Sequence, residues 1–104
     1  MHTRLTFISI QEGKAEEVKR IYNEELVPVV KSQKGNTGVR LLESTDNPQE
    51  YVSLTEWTSK ADADAYQSSG TYQTLVNKIK DMYTDKPVLK TYEVIESKVM
   101  ASMQ

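Results

Sequence analysis

The chain has 104 residues, no cysteine and a formal net charge of −2, which suits one domain with a single core and excludes both disulfides and thiolate metal sites. Its lysines and acids are interspersed, so it has neither the basic stripe that phosphate binding requires nor a polybasic membrane patch. With 38% hydrophobic and 27% charged residues the composition is that of an ordinary soluble domain. No segment approaches the length of a membrane span, and the apolar opening is broken by Thr6 and Ser9 with no small-residue cleavage site after it, so a cytoplasmic location is expected.

Residues 3–10 alternate and are rich in β-formers, which predicts a first strand ended by Gly13. From Lys14 to about Gln33, Ala15, Val18, Ile21, Tyr22, Leu26, Val29 and Val30 recur every three or four residues, the stripe of an amphipathic helix. Pro28 lies inside this stripe and lacks a backbone donor, so a kink or break is expected near residues 25–28. After Gly35, Asn36 and Gly38, residues 37–45 predict a second strand. Asp46-Asn47-Pro48 marks a turn, and Glu50 to Trp57 a third strand, pairing with the second as a hairpin.

Ser59 and Asp62 have the spacing of a capping box, opening a short helix over Lys60–Gln67. Ser68-Ser69-Gly70-Thr71 interrupts it. Thr71 is expected to cap a further helix that puts Tyr72, Leu75, Val76, Ile79, Met82 and Tyr83 on one face and stops at Lys86-Pro87. Residues 88–96 predict a fourth strand. The order is βαββαβ, an α+β ferredoxin-like pattern with a four-stranded antiparallel sheet. The domain is expected over residues 1–98, followed by a short tail over 99–104.

The strands are apolar on both sides. Leu5 and Phe7 occupy one face of the first strand while Ile8 and Ile10 occupy the other; the fourth sets Val88, Tyr92 and Val94 against Leu89 and Ile95. Two helices cover one face of such a sheet. The other needs a cover, because monomers rarely expose contiguous apolar surface, and a second copy of the same sheet is the simplest one. A homodimer is therefore expected; the alternative is that these residues lie at strand ends or under loops.

The run from Tyr51 to Ala61 with its Glu56-Trp57-Thr58-Ser59 segment, then Ala65, Tyr66, Ser69, Tyr72 and Gln73, resembles the antibiotic biosynthesis monooxygenase family. The likeness extends to the first strand, Gly13-Lys14-Ala15 and the closing Tyr92-Glu93-Val94. It implies a dimeric α/β barrel in which two sheets face each other and each subunit holds a pocket under its helices. Some members of the family are cofactor-free monooxygenases of aromatic polyketides or quinols, and others bind and degrade haem. Haem degradation uses a histidine, an asparagine and a tryptophan at positions that fall here on Val76 or its neighbours, on Thr6 or Leu5, and on Tyr66. None matches. His2, the only histidine, is expected to be a solvated terminal residue.

Four residues are candidates for the site. Trp57 points with Tyr51, Ser53 and Thr55 and is a packing anchor or a pocket residue. Tyr66 and Tyr72 face the pocket from the two short helices, where a phenol can hydrogen-bond a substrate or move a proton. Glu56 shares a face with Val52 and Leu54; it is a base of raised pKa or, the preferred reading, the partner of Arg4, Arg40 or a lysine. Ser69 reads as a cap or turn residue, and Asp62 and Asp64 diverge on their helix and do not form a metal pair. No cofactor and no protein-built metal site are expected. Two functions remain open: a cofactor-independent monooxygenase oxidising a small quinol- or polyphenol-like aromatic with O₂, and a non-catalytic ligand-binding or stress-related dimer.

Overall fold

The computed structural model describes residues 1–95; the last residue of the expected fourth strand, the expected tail and the end of the expected domain lie outside them. Four strands, β1 (His2–Ser9), β2 (Asn36–Glu43), β3 (Glu50–Trp57) and β4 (Val88–Glu93), form one antiparallel sheet in the order β2-β3-β1-β4. This is the ferredoxin-like α+β arrangement, with β1 and β3 at the centre and an open edge on either side.

The long first helix is built in three pieces: α1 (Ala15–Ile21), a π-helical turn (Tyr22–Leu26) and α2 (Val27–Lys31). The break expected from Pro28 is this turn. Pro28 sits in the first turn of α2, where no amide donor is needed, and the Val27 N–H reaches back five residues to the Tyr22 carbonyl. Tyr22 and Leu26 thereby both stay buried.

Two shorter helices follow the hairpin, α3 (Lys60–Gln67) and α4 (Gly70–Asn77). Ser59 caps α3, its hydroxyl accepting from the Asp62 N–H at 3.2 Å, as the spacing predicts. The cap of α4 is Ser69 rather than Thr71: Ser69 is the extended residue, and its Oγ accepts from the Tyr72 N–H. Thr71 already lies inside the helix. The stripe expected to continue to Tyr83 breaks after Asn77 into a 3₁₀ turn at Lys80–Met82. The chain from there is tied to the end of β1, with Gln11 N–H donating to the Met82 carbonyl and Thr84 N–H to that of Ser9, both at 2.9 Å.

The helices pack on one face of the sheet. Ile21, Tyr22, Leu26, Val30, Trp57, Ala63, Leu75 and Ile79 form the main core, and Ile8, Ile10, Val18 and Tyr51 a smaller one beside it. The opposite face carries the second apolar set. Register aligns Leu42, Val52, Phe7 and Val88 in one row across all four strands, and Arg40, Leu54, Leu5 and Lys90 in the next. Leu42 and Val88 are exposed.

Candidate functional site

Between the sheet and the helices lies a cavity of about 90 Å³. Strand alternation sets its floor. Arg4 and Thr6 of β1 face Thr55 and Ser53 of β3 as cross-strand neighbours, and Trp57 closes the row. The helices supply the walls, with Tyr22 from the π turn, Ala63 and Tyr66 from α3, and Tyr72, Leu75 and Val76 from α4. The lining is mainly apolar, with a few convergent polar groups, the usual make-up of a small-molecule site.

Three of the four sequence-predicted residues meet here. The Trp57 ring stacks on Tyr66 with centroids 5.3 Å apart and planes 27° from parallel, and Tyr66 meets Tyr72 edge-on at 5.4 Å. The Trp57 indole N–H is occupied, donating to Thr55 Oγ1 at 3.0 Å. Tyr22 Oη lies 2.7 Å from Ser53 Oγ and donates to the Arg40 carbonyl at 3.2 Å. The Tyr66, Tyr72 and Tyr83 hydroxyls have no protein hydrogen-bond partner among the described residues, so these phenols of the lining are free to meet a ligand. Burial, then the nearby Tyr72 and Tyr22, pushes the Tyr66 hydroxyl far above its ordinary value, and Tyr83 is raised in the same way. Both stay protonated near neutrality and act as donors, not bases.

The structure does not bring Glu56 to the cavity. It lies on the opposite face with Val52 and Leu54, aligned with Thr3 and Gly38, and none of its expected ion pairs forms among the described residues. Arg4 cannot reach it, because Arg4 is on the helix face and pairs with Asp64.

His2 corrects a second expectation. It is 2% exposed rather than solvated, because β1 is a central strand from its first residue and lays His2 between Trp57 and Glu93. Its Nδ1 lies 2.9 Å from Glu93 Oε1, and its Nε2 accepts from Arg4 Nε at 3.0 Å. A guanidinium only donates, so this arrangement puts the imidazole proton on Nδ1, toward Glu93. Arg4, itself 8% exposed, also donates to Gln67 Oε1 and Asp64 Oδ1. Lys60, first, and Arg4 hold the Asp64 carboxyl below the usual carboxylate range.

Arg4, Tyr22, Gln67 and Tyr83 are among the cavity residues that sequence reasoning did not single out as functional. A signal existed for Arg4: a charge on the strand face that also carries Ile8 and Ile10. Of the positions that the resemblance matches to the three residues of haem degraders, Thr6, Tyr66 and Val76 line the cavity. With no imidazole in the lining and a volume of about 90 Å³, these residues do not fit a haem.

An open ferredoxin-like sheet with an aromatic-walled cavity beneath its helices places the chain in one class of small α+β proteins. Within it, residues 1–78 match the model of the antibiotic biosynthesis monooxygenase family, and the chain belongs to that family. Solved structures agree in fold. A Nitrosomonas europaea protein bearing the family's name aligns with a TM-score of 0.80 at 20% identity, over 92% of this chain and 100% of that one. One from Bordetella bronchiseptica aligns at 0.82 and 17%, over 91% and 97%. A mutant of SnoaB, a cofactor-independent oxygenase from Streptomyces nogalater, aligns at 0.79 and 12%, over 92% and 94%. No curated protein matches the sequence.

Proposed function

We propose that this protein is a cofactor-independent monooxygenase that oxidises a small electron-rich aromatic with O₂ in the cavity beneath its helices. The observation that carries the reading is the Trp57–Tyr66–Tyr72 cluster, which offers an aromatic wall and two unpartnered phenols to one buried space. Membership of the family, and the likeness in fold to a cofactor-independent oxygenase, support the class of reaction.

In such chemistry the ionised substrate is itself the reductant. One electron passes to O₂, the substrate radical and superoxide combine at a ring carbon, and loss of water from the hydroperoxide leaves a quinone. Tyr66, held protonated by its burial, and Tyr72 donate hydrogen bonds to the developing oxyanions, and the apolar walls keep water from the intermediate. Among the described residues no carboxylate lines the cavity, and on this reading the substrate enters already ionised.

The working unit we propose is a homodimer closed through the outer sheet faces. The supporting observation is the row of Leu42, Val52, Phe7 and Val88, on which no helix lies among the described residues.

Oxygen uptake with a panel of quinols and naphthols tests the activity. Saturable uptake is expected, and Tyr66→Phe is expected to lower it by about a hundredfold to a thousandfold. The missing carboxylate favours one other reading, binding without turnover; no uptake from any member of the panel, with saturable quenching of Trp57 by the same compounds, would establish it instead.

A further inference from the structure

The cavity of about 90 Å³ is smaller than the roughly 150 Å³ that holds a single benzene ring, so a substrate enters only where a wall gives way. A depression of about 430 Å³ lies on the surface between α3 and β4, and three residues, Arg4, Gln67 and Leu89, line both spaces. They form the partition. Together the two spaces reach the few hundred Å³ usual for ligand pockets.

The partition is held by polar contacts that differ in how easily they give way. Arg4 is buried and anchored at Nε by His2, which Glu93 orients in turn. Its carboxylate partner is not anchored in the same way. The Asp64 side chain is 49% exposed and has a second cation, Lys60 Nζ at 2.8 Å. If Asp64 swings toward Lys60 and water, its charge stays compensated. A buried guanidinium has no such option and requires another anion.

From this exchange we infer that Arg4 is the anion-recognition group of the site: the substrate is an aromatic bearing an oxyanion, which replaces Asp64 and Gln67 on the Arg4 guanidinium as its ring passes the partition toward Trp57. The inference rests on the proposed aromatic-binding function and names its substrate class. A fork of N–H donors fixed at one end suits a carboxylate or an ionised phenol, and the charge-assisted bonds favour either over a neutral isostere.

Calorimetric titration with matched pairs tests it. The pairs are 1-naphthoate against 1-naphthamide, and 2,4-dinitrophenolate against 2,4-dinitroanisole, at neutral pH. At least one anion is expected to bind about tenfold or more tighter than its neutral partner, the pair that shows it identifying carboxylate or phenolate. Arg4→Gln is expected to erase that preference, weakening the anion about tenfold more than its neutral partner. Equal binding within both pairs by the unaltered protein would overturn the inference and leave the aromatic site standing. Equal loss of anionic and neutral ligands in a folded Arg4→Gln protein would also overturn it. Failure of all four compounds to bind would instead remove the aromatic site itself, and the inference with it.

Discussion

The indole of Trp57, the last residue of β3, lies stacked on the ring of Tyr66 from α3, with centroids 5.3 Å apart. The pair joins sheet to helix and forms one wall of the cavity, so stability and function share these side chains. They separate by substitution. Trp57→Ala removes a ring that is 1% exposed and is expected to cost about 3–5 kcal/mol. Tyr66→Phe removes a hydroxyl with no protein partner and keeps the stacked ring, so it is expected to stay within about 1 kcal/mol of the parent. Urea unfolding of both variants checks the contrast.

The raised tyrosines make stability depend on alkaline pH. Tyr22, Tyr66 and Tyr83 are each pushed up, chiefly by burial. In the unfolded chain they ionise near the ordinary tyrosine value of about 10, whereas in the fold they keep their protons. Below that value the two states bind these protons equally and the full stability is present; above it the unfolded state releases them first, and stability falls as pH rises. Absorbance at alkaline pH is expected to show these phenols titrating late, together with loss of the native near-ultraviolet signal. Their titration at ordinary values with the fold intact would contradict the packed cavity.

Gly35 is the position where backbone conformation decides. Its φ is +82°, and a Cβ there would collide with the side chain of Asp62. Asp62 in turn accepts from Thr58 Oγ1 at 3.2 Å, and Thr58 N–H donates to the Gly35 carbonyl at 2.8 Å. Gly35→Ala is expected to cost about 1–3 kcal/mol by thermal unfolding. Gly13, whose φ is also positive, has nothing within 4 Å, so Gly13→Ala meets the backbone strain without the collision and is expected to cost less.

Phe7 stands near the middle of the outer apolar row, aligned with Val52 on one side and Val88 on the other. A charge there would face any partner sheet and touch nothing in the helix-side core. Phe7→Glu is expected to convert a dimer into a monomer in sedimentation, with the secondary structure kept. An unaltered protein that sediments as a monomer would refute the proposed assembly.

The fold was largely legible because its signals are local. Alternation in β1, the hairpin turn at Asp46-Asn47-Pro48 and the Ser59 cap each depend on a few neighbouring residues, and each is where the sequence places it. What was not legible depends on contacts between distant residues. The burial of His2 follows from β1 lying between β3 and β4, with Glu93 ninety-one positions away as its partner. The Arg4–Asp64 pair likewise joins a strand to a helix laid across it. Glu56 shows the limit from the other side. Alternation put it on the face of Val52 and Leu54 correctly, but only the position of the helices shows which face encloses the cavity.

One measurement reaches the central claim directly. Trp57 is the only tryptophan, so its indole N–H gives a single resonance in a ¹H–¹⁵N spectrum. On titration with a naphthol or naphthoate, that resonance is expected to shift saturably, with the amides of Tyr66 and Tyr72 following the same curve. An indole signal that stays still while the aromatic binds and perturbs other residues would place the ligand elsewhere and contradict the account.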